Sequence, residues 1–160
     1  MSSEVLTTYL NDHLAGSVAA LELVRHLHES SKGSARERLF AALETEIEED
    51  QTVLQDLLRQ VGGRESKVRK AAAWLGEKLG EAKLKFDDTG TGELELLEAL
   101  ETLALGIQGK LALWRALEAA RDRRPEFQKL DLARLKNRAV DQHERVDAER
   151  LRIARSALSA

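Results

Sequence analysis

Residues 36–61 read RERLFAALETEIEEDQTVLQDLLRQV. Leu39, Leu43, Ile47, Leu54, Leu57 and Val61 recur here at intervals of three and four. That is the period of a helix burying one face. Asp50 falls where the apolar seam needs its next member. A carboxylate aimed at a core has to find a partner, because burying it bare is expensive. The identity of that partner bears directly on function, and the residues leave it open.

Outward from this stretch, the signals for helix ends are plain. Ser31-Lys32-Gly33 is a turn, and Ser34 with Glu37 has the spacing of a capping box. Gly62-Gly63 supplies a left-handed C-terminal cap, so a helix is predicted over 35–61. Upstream, Leu6, Leu10, Leu14, Ser17, Leu21, Val24 and His28 form the seam of a helix over 3–30, flanked by Tyr9, His13 and Leu27. The two helices share one rhythm and a tight turn, which predicts an antiparallel hairpin. Folding about Gly33 brings Ser17 level with Asp50.

Downstream, a short basic helix is expected over 66–84, with Val68, Ala72, Trp74, Leu75 and Leu79 as contact residues. A loop through Phe86–Gly92 follows. The whole of 64–91 is too long for a hairpin turn and suits a crossover running back along a bundle. Thr91 is a candidate N-cap for a helix over 92–121, with Glu93 and Glu95 in its first turn. Its seam is Leu96, Leu100, Leu103 with Ala104, Ile107, Leu111, Trp114 and Glu118. Pro125 opens a last helix over 125–157, with Leu132, Leu135, Ala139, His143, Val146, Arg150 and Ile153 facing in. The predicted fold is all-α: one domain over 1–160, a four-helix bundle of two antiparallel hairpins joined by a long crossover that holds a short fifth helix. A flat, extended helical array is the alternative.

Composition bounds the function classes. A chain of 160 residues can build one sizeable core. Its 42% hydrophobic and 33% charged residues are those of a globular protein, not a disordered one. A net charge of −3, with basic residues spread along every segment, argues against nucleic acid and anionic membrane surfaces as partners. Having no cysteine, the chain has no disulfide, no thiolate metal site and no cysteine nucleophile. No run approaches the ~18 consecutive apolar residues of a membrane span. The N-terminal MSSEVLTTYLNDHLAG lacks the basic and apolar regions of a signal peptide, so a cytoplasmic location is expected.

Over essentially its whole length this helix layout resembles the ferritin-like four-helix bundles, including the rubrerythrin and di-iron carboxylate branches. The resemblance implies two metals held by a glutamate from each of two helices and a Glu-x-x-His pair from each of the others. The same interval separates Glu22 from Glu48 and Glu118 from Glu144, one pair in each hairpin. Three residues after Glu48 stands Gln51, however, and three after Glu144 stands Asp147; neither is histidine. At about 100° per residue, Glu22, Glu48 and Glu144 also point away from their seams. An intact di-iron site is therefore not expected, and Glu44, Glu46, Glu48 and Glu49 read mostly as a solvated face.

A second constellation respects helical phase. His13, Ser17, Asp50, Gln142 and His143 face inward at one predicted mid-bundle level. Imidazole and carboxylate suit zinc, iron or manganese, so His13, Asp50 and His143 are the candidate metal ligands, with Glu46 half exposed in reserve. The competing expectation is a hydrogen-bonded polar layer in which Asp50 pairs with histidine, completed by Ser17 and Gln142. That layer would set helix register. His26 and His28 suit the C-terminal dipole of their helix, and Arg150 and Glu118 would snorkel or pair at seam edges. Trp74 and Trp114 read as packing residues. Gly90-x-Gly92 lacks the lysine and spacing of a phosphate loop, and no nucleophile elbow is present.

The expected function is that of a non-catalytic interaction or structural module, self-associating as a homodimer through Leu23, Leu94, Leu105 and Leu113, which lie off the seams. The alternative is a ferritin-like metal protein or oxidoreductase using the His/Asp site, as the resemblance implies. Reversible binding to a lipid surface ranks third, because acidic residues interrupt the amphipathic faces.

Overall fold

Gly33 and Gly62 bracket the helix that carries Asp50, and both adopt the left-handed conformation that favours glycine, with φ of 77° and 79°. The computed structural model of the protein describes residues 2–66, 73, 77 and 92–159. The four long helices are α1 (Ser2–Ser30), α2 (Glu37–Gln60), α3 (Gly92–Ala119) and α5 (Leu132–Ala157), with the short α4 (Pro125–Gln128) between the last two. No strand occurs among the described residues. The predicted helix over 66–84, the loop to Gly92 and the Thr91 cap fall largely outside the described residues, Trp74 with them.

Helix ends follow local chemistry. The Gly63 amide donates to Leu58 O at 2.9 Å and Gly62 to Arg59 O at 3.0 Å, a Schellman arrangement that satisfies two orphan carbonyls of α2. A Cβ at Gly63 would fall 2.4 Å from Leu58 Cδ1 and 2.9 Å from Thr7 Cγ2, so any side chain here would force those two side chains to shift. At the other end of α2, Glu37 reaches back to the Gly33 amide (2.8 Å) and Ser34 Oγ accepts from Arg36 N (3.2 Å). This is a capping box displaced by one residue. The expected continuous helix over 125–157 is broken instead. The Asp131 side chain accepts from Arg134 N at 3.0 Å and restarts the chain as α5, while Phe127 of α4 is buried at the end of the core.

Side-chain pairs give the directions of the helices. Ser17–Gln51, Arg25–Glu48 and His28–Glu44 run in opposite order along α1 and α2. Glu93–Ser156, Glu101–Arg150 and Glu118–Lys136 do the same along α3 and α5. Arg36–Glu149, Glu46–Arg145 and Glu49–Arg138 make α2 and α5 antiparallel too. It follows that α2 and α3 point the same way. The helices neighbour one another in the cycle α1–α2–α5–α3, with α1 against α3. The core between them is almost entirely leucine, isoleucine, valine and phenylalanine, with Trp114.

The seams are those predicted, with local shifts. Phe40 takes the buried place expected of Leu39, and Leu97 that of Leu96. Gln142, not His143, occupies the seam of α5, because 132, 135, 139, 142, 146 and 153 hold a strict rhythm of threes and fours and sevens. Leu23 and Leu113 are buried, contrary to expectation, because α1 and α3 pack against each other as well as against their hairpin partners, whereas α2 and α5 stand further apart. Leu94 and Leu105 are exposed as expected. No helix among the described residues is long and apolar enough to cross a membrane.

Candidate functional site: the buried ion network around Asp50

Asp50 is 2% exposed, and its partners come from two helices other than its own. From α3, Lys110 Nζ donates to Oδ2 at 2.5 Å. From α5, Arg138 donates to Oδ1 through Nε at 2.9 Å and also through Nη2. Gln142 Nε2 adds a weaker contact to Oδ2 at 3.4 Å. An ionised carboxylate has about four lone-pair positions. All are taken.

The network extends outward from this centre. Lys110 Nζ also donates to Gln142 Oε1, and Gln142 Nε2 to Glu46 Oε2 at 3.1 Å. Gln142 is fully buried, so both ends of its amide need these partners. Arg145 Nη2 closes on Glu46 Oε2 at 2.5 Å and on Asp141 at 2.8 Å, and Arg138 Nη1 on Glu49 Oε2 at 2.6 Å. Glu46, Glu49 and Asp50 thus oppose Lys110, Arg138 and Arg145. Burial pushes the Lys110 ammonium below its ordinary range, with Asp50 opposing the shift. Burial also disfavours charge on Arg138, but Asp50 and Glu49 outweigh it and hold the guanidinium above its usual value.

The predicted site residues separate under this geometry. Asp50, Glu46 and Gln142 are joined, but the partners of the carboxylates are cations instead of histidines. His143 is half-buried on the flank of α5 and takes no part in the contacts of Asp50. His13 is half-buried on α1, edge-on to Tyr9 with ring centroids 4.7 Å apart. Desolvation lowers its pKa and the nearby Asp12 opposes this. Ser17 lies at the level of Asp50 as predicted, yet its hydroxyl donates to Leu14 O (2.8 Å) and accepts from Gln51 (3.1 Å). Among the described residues no group of three or more His, Asp or Glu converges as metal ligands do. His28 pairs with Glu44 at 2.6 Å, and Arg25 reaches Glu22, Glu44 and Glu48, so much of the acidic face of α2 is engaged in ion pairs. Glu118 and Arg150 pair at seam edges, with Lys136 and with Asp147 and Glu101.

Lys110 and Arg138 escape the apolar pattern because each stands one residue before a seam member, Leu111 and Ala139. Their length lets the charged ends cross to the centre from the flank. A seam aspartate facing flanking cations on two other helices was the available signal.

Beside the Asp50–Lys110 pair lies a partly open cavity of about 170 Å³ lined by α1, α2 and α3. Ile47, Leu54, Ile107, Leu113 and Trp114 form apolar walls, and Gly16, Ala20, Gly106 and Gly109 line it with small residues. His13 and Ser17 also border it.

No protein-family model, curated protein or solved structure matches this chain.

Proposed function

We propose that the protein is a non-catalytic helical module of ferritin-like layout, in which the position of the di-iron centre is taken over by a self-neutralised ion network. The observation that carries this reading is the saturation of Asp50: a metal would have to displace Lys110 to reach Oδ2 or Arg138 to reach Oδ1. The order of helix directions, with α2 parallel to α3 and every adjacent pair antiparallel, supports the ferritin-like part of it. Breaking such a buried network is costly, so its role is to fix which helices meet and in what register.

The work of such a module falls to its surface, and a second copy is the partner proposed. Leu105 is 74% exposed and Leu94 44%. They stand eleven residues apart, which returns them to within about 20° of one face of α3. Leu151 on the neighbouring helix α5 and Leu158 just past its end are exposed too. Light scattering at tens of micromolar should give a dimer, and Leu105→Glu should return it to monomer. A strict monomer at those concentrations defeats the self-association. Stoichiometric iron, manganese or zinc in protein prepared without chelator, lost in Asp50→Asn, defeats the closed network.

A further inference from the structure

We infer that a second copy docks across a two-fold axis at the level of Glu149, with the outward face of α5 lying antiparallel on its own counterpart and Glu144 of each chain paired with Arg155 of the other. This rests on the reading that a second copy covers the exposed leucines, and it adds how that copy is oriented.

Val140 and Leu151 of α5, with Leu158 just past its end, are exposed. At about 100° per residue they fall within about 20° of one line along the helix, on the side away from the core. Widening that line to an arc of about 60° adds one acid, Glu144, and one base, Arg155, and no other charge over 133–158. Both side chains are exposed, and neither makes an ion pair or hydrogen bond among the described residues. Asp147, at the edge of the arc, is held by Arg150, which also reaches Glu101 of α3.

The spacing of this face is self-complementary. The midpoint between Val140 and Leu158 and the midpoint between Glu144 and Arg155 lie at one level, beside Glu149. A two-fold axis crossing α5 there turns the helix onto an antiparallel copy. Val140 then faces Leu158, Glu144 faces Arg155 and Leu151 faces the small Ala148, each contact occurring twice. A parallel pairing would instead set Glu144 against Glu144 and Arg155 against Arg155, so the charges select the direction.

Helix α3 is centred on the same axis. Leu94 and Leu105 have their midpoint beside Leu100, and the Glu101–Arg150 pair brings that point level with the middle of α5 to within about one turn. One rotation therefore sets Leu94 toward Leu105 of the second copy while it aligns α5. The apolar residues supply the attraction. The charge pairs, worth little singly at a surface, supply the register.

Sedimentation equilibrium at low salt measures the dimer dissociation constant. Glu144→Arg and Arg155→Glu, made separately, should each weaken dimerisation about 10-fold, because each replaces two attractive pairs by two repulsive ones. The double variant reverses both pairs and should return to within about 3-fold of wild type. Mixing the two single variants should give a heterodimer tighter than either homodimer. Since neither side chain has a partner within the described residues, helical circular dichroism should stay unchanged throughout. The chain has no cysteine, so Val140→Cys and Leu158→Cys report the register independently: mild oxidation should cross-link a mixture of the two and neither variant alone. Wild-type protein that stays monomeric at tens of micromolar removes self-association and this register with it. A wild-type dimer that is unaffected by the single reversals, or is cross-linked by Val140→Cys alone, overturns the antiparallel contact of α5 and leaves the second copy as partner.

Discussion

The contact of α2 with α5 and the contact of α3 with α5 involve the same helix but are made of different materials. Between α3 and α5 the backbones approach closely and leucines fill the gap, with ion pairs confined to the edges. Between α2 and α5 the backbones stand further apart, and Arg138, Arg145 and Gln142 bridge the space to Glu49, Asp50 and Glu46. Apolar contact is non-directional and tolerates sliding; a bidentate guanidinium–carboxylate pair does not. One seam supplies most of the driving force for packing. The other supplies alignment.

The largest test of that division is Asp50→Ala, which strands Lys110 and Arg138 in the interior. Urea unfolding should show a loss of about 3–5 kcal/mol. The sharper form removes the triad together with the buried amide that depends on it: Asp50→Leu with Lys110→Met, Arg138→Met and Gln142→Leu should recover stability to within about 1 kcal/mol of wild type or exceed it. Recovery of stability together with several slowly exchanging conformers in NMR spectra would show alignment as the function of the network. A triad variant as unstable as Asp50→Ala would instead make the charges a source of net stability.

On the apolar side, Leu103→Ala removes a fully buried side chain of α3 and should cost about 2–5 kcal/mol by the same measurement. Its effect should add to that of the triad variant, because no polar contact links the two sites. Asp131→Ala touches neither seam and removes only the cap that starts α5, for an expected loss of about 1 kcal/mol in thermal unfolding. The smallest effect concerns His13. Its pKa lies below the ordinary value through burial, so in the window beneath about 6.5 the unfolded chain binds more protons than the folded one. Stability from this group is therefore present above that window and is lost as pH falls through it. His13→Gln should flatten the slope of stability against pH there.

The long helices and most of their buried faces could be read from the chain because the apolar period and the glycine ends act locally. Asp50 was legible for a related reason: it interrupts a period. Its partners were not, because Lys110 and Arg138 lie on flanks where charged residues are ordinary, and only the approach of α3 and α5 brings them inward. The histidines misled in the opposite sense. His143 is one residue from the true seam of α5, and a single step of about 100° carries a side chain from interior to flank. Nothing in the apolar pattern could announce the cavity either. It is lined by three helices that meet only in the folded chain.

Asn11 has a consequence for how the chain can vary. Buried in α1, it donates to Thr7 O (2.9 Å) and Arg64 O (3.1 Å) and accepts from Ser66 N (3.0 Å). The polypeptide leaving the first hairpin is thus moored to the hairpin before it goes anywhere else. Tension applied to the chain beyond Ser66 would load this amide clasp before it reached the hydrophobic contacts of α1 with α2.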